Sequence, residues 1–267
     1  GRRLVELALV DFSGRVRMHR QEVYAHPTPD RVLAFARQGL DTMTASLDPG
    51  QRARLMGLGV ATPYRLWDWG QEMADWLDHD LQAELSRSLP VPIFVENDAT
   101  TACGAELIFG KTDLPRDFIH IYIAHFAGGG IVLDGALRHG PTRNAGALGS
   151  MPIPVVGAQG GQLLEKASVS ALEALIGRSL PPDDSGWDVP AGIEAEWADQ
   201  AGRALAFVAL SAVALVDLPL VVIDGAVPPA TRARLAQATR AALEGMPTAG
   251  IDRPQVIEGS LGRSARI

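Results

Sequence analysis

The sequence predicts an α/β fold with two domains, and three observations lead to this prediction. Short apolar runs typical of buried strands alternate with segments whose apolar residues recur at helical spacing. Two predicted β-hairpins, far apart in the chain, share the same plan. The length of 267 residues suits one large domain or two modest ones, and we favour two: a smaller N-terminal domain of residues 1–98, truncated at its start, and a larger C-terminal domain of residues 99–267.

The N-terminal domain is predicted to begin with a hairpin. The segment LVELALVDFSGRVRMHRQEVY shows a strand, a tight turn at Ser13-Gly14 and a second strand. A helix should follow, with Thr28 as its N-cap and Pro29 at its first position. A buried strand in RLMGLGVATP, a helix around LQAELSRSL and a buried strand in VPIFVEND complete the domain.

The C-terminal domain should open with a helix over ATTACGAELIFG, closed by Gly110. The runs FIHIYIA and GIVLDGALRHG then predict a second hairpin, with the three glycines Gly128 to Gly130 in its turn. Further elements are predicted from the same patterns: a helix from about Leu163 to Ile176, a long helix from about Ile193 to Val216, a buried strand LVVIDG, a helix near Thr231 to Leu243, and a last strand beginning in PQVIEGSLGRSARI.

Composition limits the possible functions. The formal net charge of −7 at pH 7 gives no general attraction to nucleic acid, so we expect no DNA binding by these residues alone. The single cysteine, Cys103, excludes an internal disulfide and a multi-cysteine zinc site, and fits the reducing cytoplasm. The apolar run from Ala204 to Val216 is shorter than the roughly 20 residues of a spanning helix, so we predict a buried helix and no membrane contact.

Asn97 and Asp98 are the strongest candidates for a functional site, because they follow a buried strand where it runs into a helix. The Asp98 carboxylate can accept hydrogen bonds or a proton from a ligand hydroxyl, and the Asn97 amide can both donate and accept. An equally weighted alternative is that Asp98 only caps a helix starting at Ala99.

Six segments together resemble the ROK family, which is named for repressors, open reading frames and kinases. They are ALVDFSGRV, VENDATTACGAELIFG, AGGGIVLDGALRHG, NAGALGSM, KASVSALEAL and VVIDGAV, in family order over nearly the whole chain. The motif END followed by GGGIVLDG at this separation is fairly specific. The resemblance implies the actin and sugar-kinase type of fold: two ribonuclease-H-like α/β domains with ATP and a sugar in an interdomain cleft.

The resemblance also implies roles for individual residues. In family kinases the Asp of END is the base that activates a sugar hydroxyl, so Asp98 would be that base and Asn97 a sugar contact.

The family's second phosphate loop usually has Gly-Thr-Gly and an apolar residue before three glycines. Here the four residues before Gly128, Gly129 and Gly130 are Ala124, His125, Phe126 and Ala127. Because Phe126 adds a ring and a Cβ where φ could be positive, ATP binding is doubtful, and we interpret the glycines and His125 as a phosphate-loop remnant. For His125 we favour a solvent-facing side chain over a hydrogen bond to an anion or a sugar.

Other family contacts have changed as well. The Glu-X-Gly-His motif has become ALGS, which leaves Ala147 and Ser150 in the two contact positions. The segment that would carry zinc-binding cysteines is MPIPVVGAQGG, without cysteine, so we predict no zinc and no other metal. A later sugar-binding Glu falls at Leu164 or, with a one-residue shift, at Glu165.

These differences favour a regulator over an enzyme. Our leading hypothesis is the effector-binding core of a ROK-type transcriptional regulator that binds a sugar or sugar derivative, through Asn97, Asp98, Ser150 and Glu165, without phosphorylating it or needing a cofactor. The resemblance implies a homodimer, with DNA bound by a winged helix-turn-helix outside these residues. The alternative is a sugar kinase that uses Asp98 as base with ATP and Mg²⁺.

Overall fold

The structure, a computed structural model, describes residues 3–111, 113–154, 160–182 and 184–266. It divides into two units, Gly1–Asp98 and Ala99–Arg266. We refer to them as the N-terminal and the C-terminal unit and describe each by itself.

The N-terminal unit has the elements that the sequence predicts. The hairpin and the helix with Thr28 as N-cap and Pro29 as first residue are confirmed. The strands and helices are β1 (Leu4–Val10), β2 (Val16–Val23), α1 (Pro29–Ala45), α2 (Pro49–Arg52), β3 (Leu58–Thr62), α3 (Leu81–Ser88) and β4 (Ile93–Asn97), with 3-10 turns at Leu66–Trp69 and Gln71–Asp78.

Strand pairing in the N-terminal unit is split between two small sheets. β1 pairs with β2 in antiparallel orientation, and β3 pairs with β4 in parallel orientation. α1 packs on both pairs. On one side Gly39 lets the helix approach the Leu7 side chain of β1, and on the other Leu33 and Leu40 join a core with Ile93 of β4. The helix is therefore the element that holds the two sheets together.

The C-terminal unit is built on one five-stranded sheet. Its elements are α4 (Asp98–Phe109), β5 (Phe118–Ile123), β6 (Gly128–Leu133), β7 (Ala136–Leu137), β8 (Pro152–Ile153), β9 (Gly161–Gln162), α5 (Leu164–Ala167), α6 (Val169–Ile176), α7 (Ala191–Val216), β10 (Leu220–Gly225), α8 (Pro229–Glu244) and β11 (Gln255–Glu258). The sheet order is β11-β10-β5-β6-β7. β11, β10 and β5 run parallel, whereas β5, β6 and β7 are antiparallel neighbours. β5 and β10 lie inside the sheet and are buried at every residue, as their largely apolar sequences indicate.

The long helix α7 is part of the core of this unit. By length and composition it could cross a membrane, and half of its most apolar 18-residue window is buried within the fold. Its buried face includes Trp197, Leu205 and Val208, all in the largest apolar cluster of the described residues. This burial agrees with the sequence prediction of a buried helix.

One predicted helix is two helices in the structure. The segment from Leu163 to Ile176 is interrupted at Ser168, whose backbone is extended (φ −78°, ψ 154°) between α5 and α6. The fully buried Ser168 hydroxyl accepts a hydrogen bond from the Ala127 amide at 2.7 Å. A side chain bonded outside the helix favours an extended residue over a continuing helix, which apolar periodicity alone does not reveal.

The three glycines Gly128 to Gly130 do not form the hairpin turn that we predicted for them. They lie inside β6, where a Cβ would be too close to its neighbours: 2.6 Å from the Ala99 Cβ at Gly128, 2.5 Å from the His120 carbonyl oxygen at Gly129, and 2.5 Å from the Cys103 Cβ at Gly130. The first turns of α4 therefore lie directly on β6. Gly128 and Gly130 serve this close approach of helix and strand, whereas Gly129 makes room for Leu148 on the opposite face of β6.

Gly130→Ala should destabilise the protein by about 1–3 kcal/mol, because the new methyl group overlaps Cys103 and neither backbone can move without disturbing the core. Gly59→Ala is the matched control, since Gly59 also lies in a strand and its Cβ would meet nothing within 4 Å. Urea unfolding of both variants checks this. Equal stability for the two would contradict the packing role.

Cys103 should be unreactive in the folded protein. Burial raises the pKa of its thiol to about 12, so almost no thiolate exists at pH 8. A thiol-specific chromogenic reagent should label it within minutes in denaturant, and at least about 100-fold more slowly without denaturant. Fast labelling of the native protein would mean that α4 detaches readily from β6.

Candidate functional site

Asn97 and Asp98 lie where the sequence places them. Asn97 is the last residue of β4, and its backbone N–H donates to the Glu96 carboxylate at 2.9 Å. Asp98 is the first residue of α4, so the helix begins one residue earlier than predicted. Both side chains are half-buried. A carboxylate in the first helical turn is stabilised by the helix dipole and can still bind a ligand hydroxyl.

The loop between β5 and β6 consists of residues 124–127, and it is fastened to the start of α6. The Val169 amide donates to the Ala124 carbonyl at 2.9 Å, and the Ser170 amide donates to the His125 carbonyl at 3.1 Å. The Ala127 amide donates to the Ser168 hydroxyl at 2.7 Å. Amides at a helix start can bind phosphate only when they are free, and here loop carbonyls already accept from two of them.

The backbone of this loop also differs from a phosphate nest. Such nests alternate right-handed and left-handed residues so that successive amides point to one anion. No residue from Ala124 to Gly130 has a positive φ. The expectation that Phe126 would need a positive φ is therefore wrong, and the loop takes a shape that ordinary side chains can adopt.

His125 is half-buried and lies beside an acid. Its Nδ1 is 3.5 Å from the Glu173 carboxylate of α6, and the Phe126 ring packs edge-on to it with centroids 4.6 Å apart. Glu173 also accepts a hydrogen bond from the Leu180 amide at 2.7 Å. The solvent-facing position that we favoured from the sequence is wrong, because the carboxylate and the ring cover part of the imidazole. A carboxylate beside this loop opposes binding of a phosphate.

The other two candidate sugar contacts, Ser150 and Glu165, are both exposed. Ser150 is exposed at the end of a 3-10 turn, Leu148–Ser150. In that turn Gly149 packs against the Ala127 carbonyl, so the structure brings the ALGS segment and the loop together. Glu165 is exposed in the short α5. The central part of the predicted zinc-less segment, residues 155–159, lies outside the described residues.

The structure also reveals a buried polar cluster that the sequence analysis missed. Glu106 of α4, His120 of β5 and Asp224 of β10 each offer a ligand atom, and these atoms all lie within 4.8 Å of one another. All three side chains are almost completely buried. The sequence does contain a signal for this cluster: FIHIYI holds a histidine and LVVIDG holds an aspartate within strands that are otherwise largely apolar. Pairing of Val222 with His120 and of Tyr122 with Asp224 puts both on one sheet face.

Asp224 anchors the chain segment that follows β11. Its carboxylate accepts from the amides of Gly225 and Gly262 and from Arg232 at 2.8 to 3.1 Å. Burial by itself would raise the pKa of Asp224, but the nearby His120 imidazole, the Gly225 amide and the Arg232 guanidinium outweigh it and hold the pKa below its usual value. Asp224 is therefore ionised and occupied by internal partners.

Comparisons with known proteins identify the fold and the family. The model of the ROK family matches residues 1–257. An uncharacterized protein of Sinorhizobium fredii, y4fQ, is 26% identical over 97% of this chain and 69% of its own length. The xylose repressor of Bacillus subtilis is 29% identical over 37% of this chain, a match that spans 27% of the repressor.

Solved structures of kinases and of a regulator resemble this one. A ROK family transcriptional regulator, a homologue of the Escherichia coli MLC protein, has a TM-score of 0.74 at 20% identity, covering 99% of this chain and 73% of its own. A ROK glucokinase from Streptomyces griseus, in complex with glucose and AMPPNP, has a TM-score of 0.72 at 18% identity, covering 100% and 94%. At these identities the likeness concerns the fold, and it confirms the predicted actin and sugar-kinase type.

Ser168→Ala should loosen the loop before β6. The change leaves the Ala127 amide without its acceptor in a buried place, which should cost about 1–3 kcal/mol of unfolding free energy. Ser170→Ala is the control, because the bond from Ser170 to the loop comes from its backbone amide. Chemical denaturation measures both, and an undiminished stability of Ser168→Ala would show that this bond does not fix the loop.

Proposed function

The chain belongs to the ROK family, and on this basis we propose that it is the sugar-effector-binding core of a ROK-type transcriptional regulator without kinase activity. A single observation carries the proposal. The loop where family kinases hold a phosphate is fastened to α6 by two carbonyl-to-amide bonds and one bond to the Ser168 hydroxyl. A phosphate could use the Ala127 amide or the Val169 and Ser170 amides only if these bonds broke.

Electrostatics supports the same proposal. The Glu173 carboxylate of α6 lies 3.5 Å from His125, so an acid lies beside the loop where a nucleotide would bring negative charge. The segment VVIDGAV, at which the family resemblance implies an adenosine contact, has Asp224, which is fully buried and bonded to Arg232 and to backbone amides. Neither feature favours the binding of a nucleoside triphosphate.

Sugar binding needs less than phosphoryl transfer, and two of the residues that the resemblance assigns to it, Asn97 and Asp98, remain. The Asn97 amide and Asp98 carboxylate are well suited to pairs of hydroxyl groups, which both donate and accept hydrogen bonds. Ser150 and Glu165, both exposed, are further contacts in this proposal. A ligand that binds one conformation more tightly than another shifts the population towards it, and no transition state has to be stabilised.

The wider context of the proposal is a cytoplasmic homodimer. DNA would be bound by a winged helix-turn-helix outside these residues, since the chain itself has a net charge of −7. The resemblance to a ROK regulator structure supports this context. The ligand would be a sugar or a sugar derivative.

An active sugar kinase is the second candidate. It is favoured by the retention of Asn97 and Asp98 and by the likeness to a ROK glucokinase structure. In this case Asp98 would accept the proton of the attacking sugar hydroxyl, and ATP with Mg²⁺ would supply the phosphoryl group.

A sugar panel distinguishes the two candidates. We expect that one or more sugars raise the melting temperature of the protein by about 2–4 °C at saturating concentration, whereas a coupled ATPase assay shows no sugar-dependent turnover. Asp98→Asn should abolish the shift, because the amide donates hydrogen bonds where the carboxylate only accepts them.

The matched control is Asp199→Asn, an exposed carboxylate of α7, which should leave the shift unchanged. Sugar-dependent ADP release that disappears in Asp98→Asn would overturn the regulator proposal in favour of the kinase. Absence of both shift and turnover for every sugar would contradict both candidates.

A further inference from the structure

We propose that Glu106, His120 and Asp224 form a buried site for one divalent transition-metal ion of the Zn²⁺ or Mn²⁺ class, which fastens α4 to the centre of the sheet. The site belongs wholly to the C-terminal unit and shares no residue with the proposed sugar contacts. It would serve a regulator and a kinase equally.

The geometry fits a small ion. Two ligand atoms bound to a tetrahedral ion at about 2.1 Å are about 3.4 Å apart. The His120 Nε2 lies 3.9 Å from the Asp224 Oδ2, and the ligand atoms of all three residues lie within 4.8 Å of one another. Shifts of roughly half an ångström to one ångström in side chains would close the site, without movement of the strands.

Unsatisfied polar atoms point to a missing partner. Over the described residues, the Glu106 Oε2 and both ring nitrogens of His120 are buried and have no hydrogen-bond partner. The other Glu106 oxygen is already engaged, because the amide and hydroxyl of Ser260 both donate to it at 2.9 Å. A buried polar atom without a partner loses its bonds to water and gains none in return, so three in one cluster need a compensating bond.

The Asp224 carboxylate likewise has one oxygen with spare capacity. Its Oδ1 accepts from Gly225, Arg232 and Gly262, whereas one hydrogen bond among the described residues, from Gly262, reaches its Oδ2. The spare lone pairs of Oδ2 lie on the oxygen that approaches His120. Hydrogen bonds to the remaining oxygens hold both carboxylates in place, as partners of metal-binding carboxylates commonly do.

Charge balance agrees with a divalent ion. Glu106 and Asp224 contribute two negative charges, and Arg232, next to Asp224, contributes one positive charge. The Glu258 carboxylate lies 3.8 Å from Arg232 and adds a third negative charge. Set against the single positive charge of Arg232, these three carboxylates leave two negative charges, which one divalent ion cancels.

The ligand types select the class of ion. One imidazole nitrogen with two carboxylate oxygens suits Zn²⁺ or Mn²⁺, whereas Ca²⁺ and Mg²⁺ prefer oxygen ligands alone. Because the cluster is buried, the ion would be structural: it would connect α4, β5 and β10 through one centre.

Metal binding to the whole protein tests the proposal. After treatment with EDTA, Zn²⁺ or Mn²⁺ is added alone, both to the folded protein and during refolding from urea, so that burial does not block entry. We expect one tightly bound ion per chain and a melting temperature raised by about 5 °C. Glu106→Gln, which keeps the shape and the acceptor for Ser260, should weaken binding at least tenfold, and so should His120→Phe.

The control is His79→Gln, because His79 also lies beside a carboxylate, that of Glu84 at 2.8 Å, but is about one-third exposed. This variant should bind the ion as the parent protein does. Three outcomes would each mean an adventitious ion only and would overturn the proposal. They are less than one ion per chain, loss of binding in His79→Gln, and binding by Glu106→Gln equal to that of the parent protein. Cobalt absorption in the visible range gives a second readout, since a His-carboxylate site in the parent protein produces bands that Glu106→Gln lacks.

Discussion

The close contact between α4 and β6 is the constraint on which the C-terminal unit depends. Gly128 and Gly130 of β6 lack the side chains that would keep the helix at normal distance, and Ala99 and Cys103 of α4 fill the space instead. This contact fixes the position of α4 on the five-stranded sheet. It thereby determines where Glu106 meets the middle of the sheet, and it sets the start of the helix that Asp98 begins.

The same contact explains how a family motif can persist when its chemistry changes. Glycines that let a backbone approach a phosphate also let a helix approach a strand, and the second use does not need the first. With His125 and Phe126 in the preceding loop, carbonyl groups and a serine hydroxyl fasten that loop to α6. The glycines are still required for packing, although the loop no longer has the left-handed residues of a nest.

Most elements of the fold, and the position of Asn97 and Asp98, could be predicted from the sequence because apolar periodicity and capping residues are local signals. The break at Ser168 could not, since the partner of its hydroxyl is 41 residues away at Ala127. The role of the glycines was misread because a triple glycine indicates a turn as readily as a close approach. Glu106, His120 and Asp224 are brought together by strand register and helix placement, which no local pattern contains.

The two small sheets of the N-terminal unit have a consequence for its dynamics. In the C-terminal unit β5 joins a parallel set of strands to an antiparallel set, whereas in the N-terminal unit the described strands form the same two sets without a joining strand. Each of these four strands therefore has a row of backbone amides with no neighbouring strand. Such amides exchange their hydrogens with water through small local openings, whereas exchange of the amides of β5 and β10 requires unfolding of the whole unit. We therefore expect faster amide exchange in the strands of the N-terminal unit than in β5 and β10.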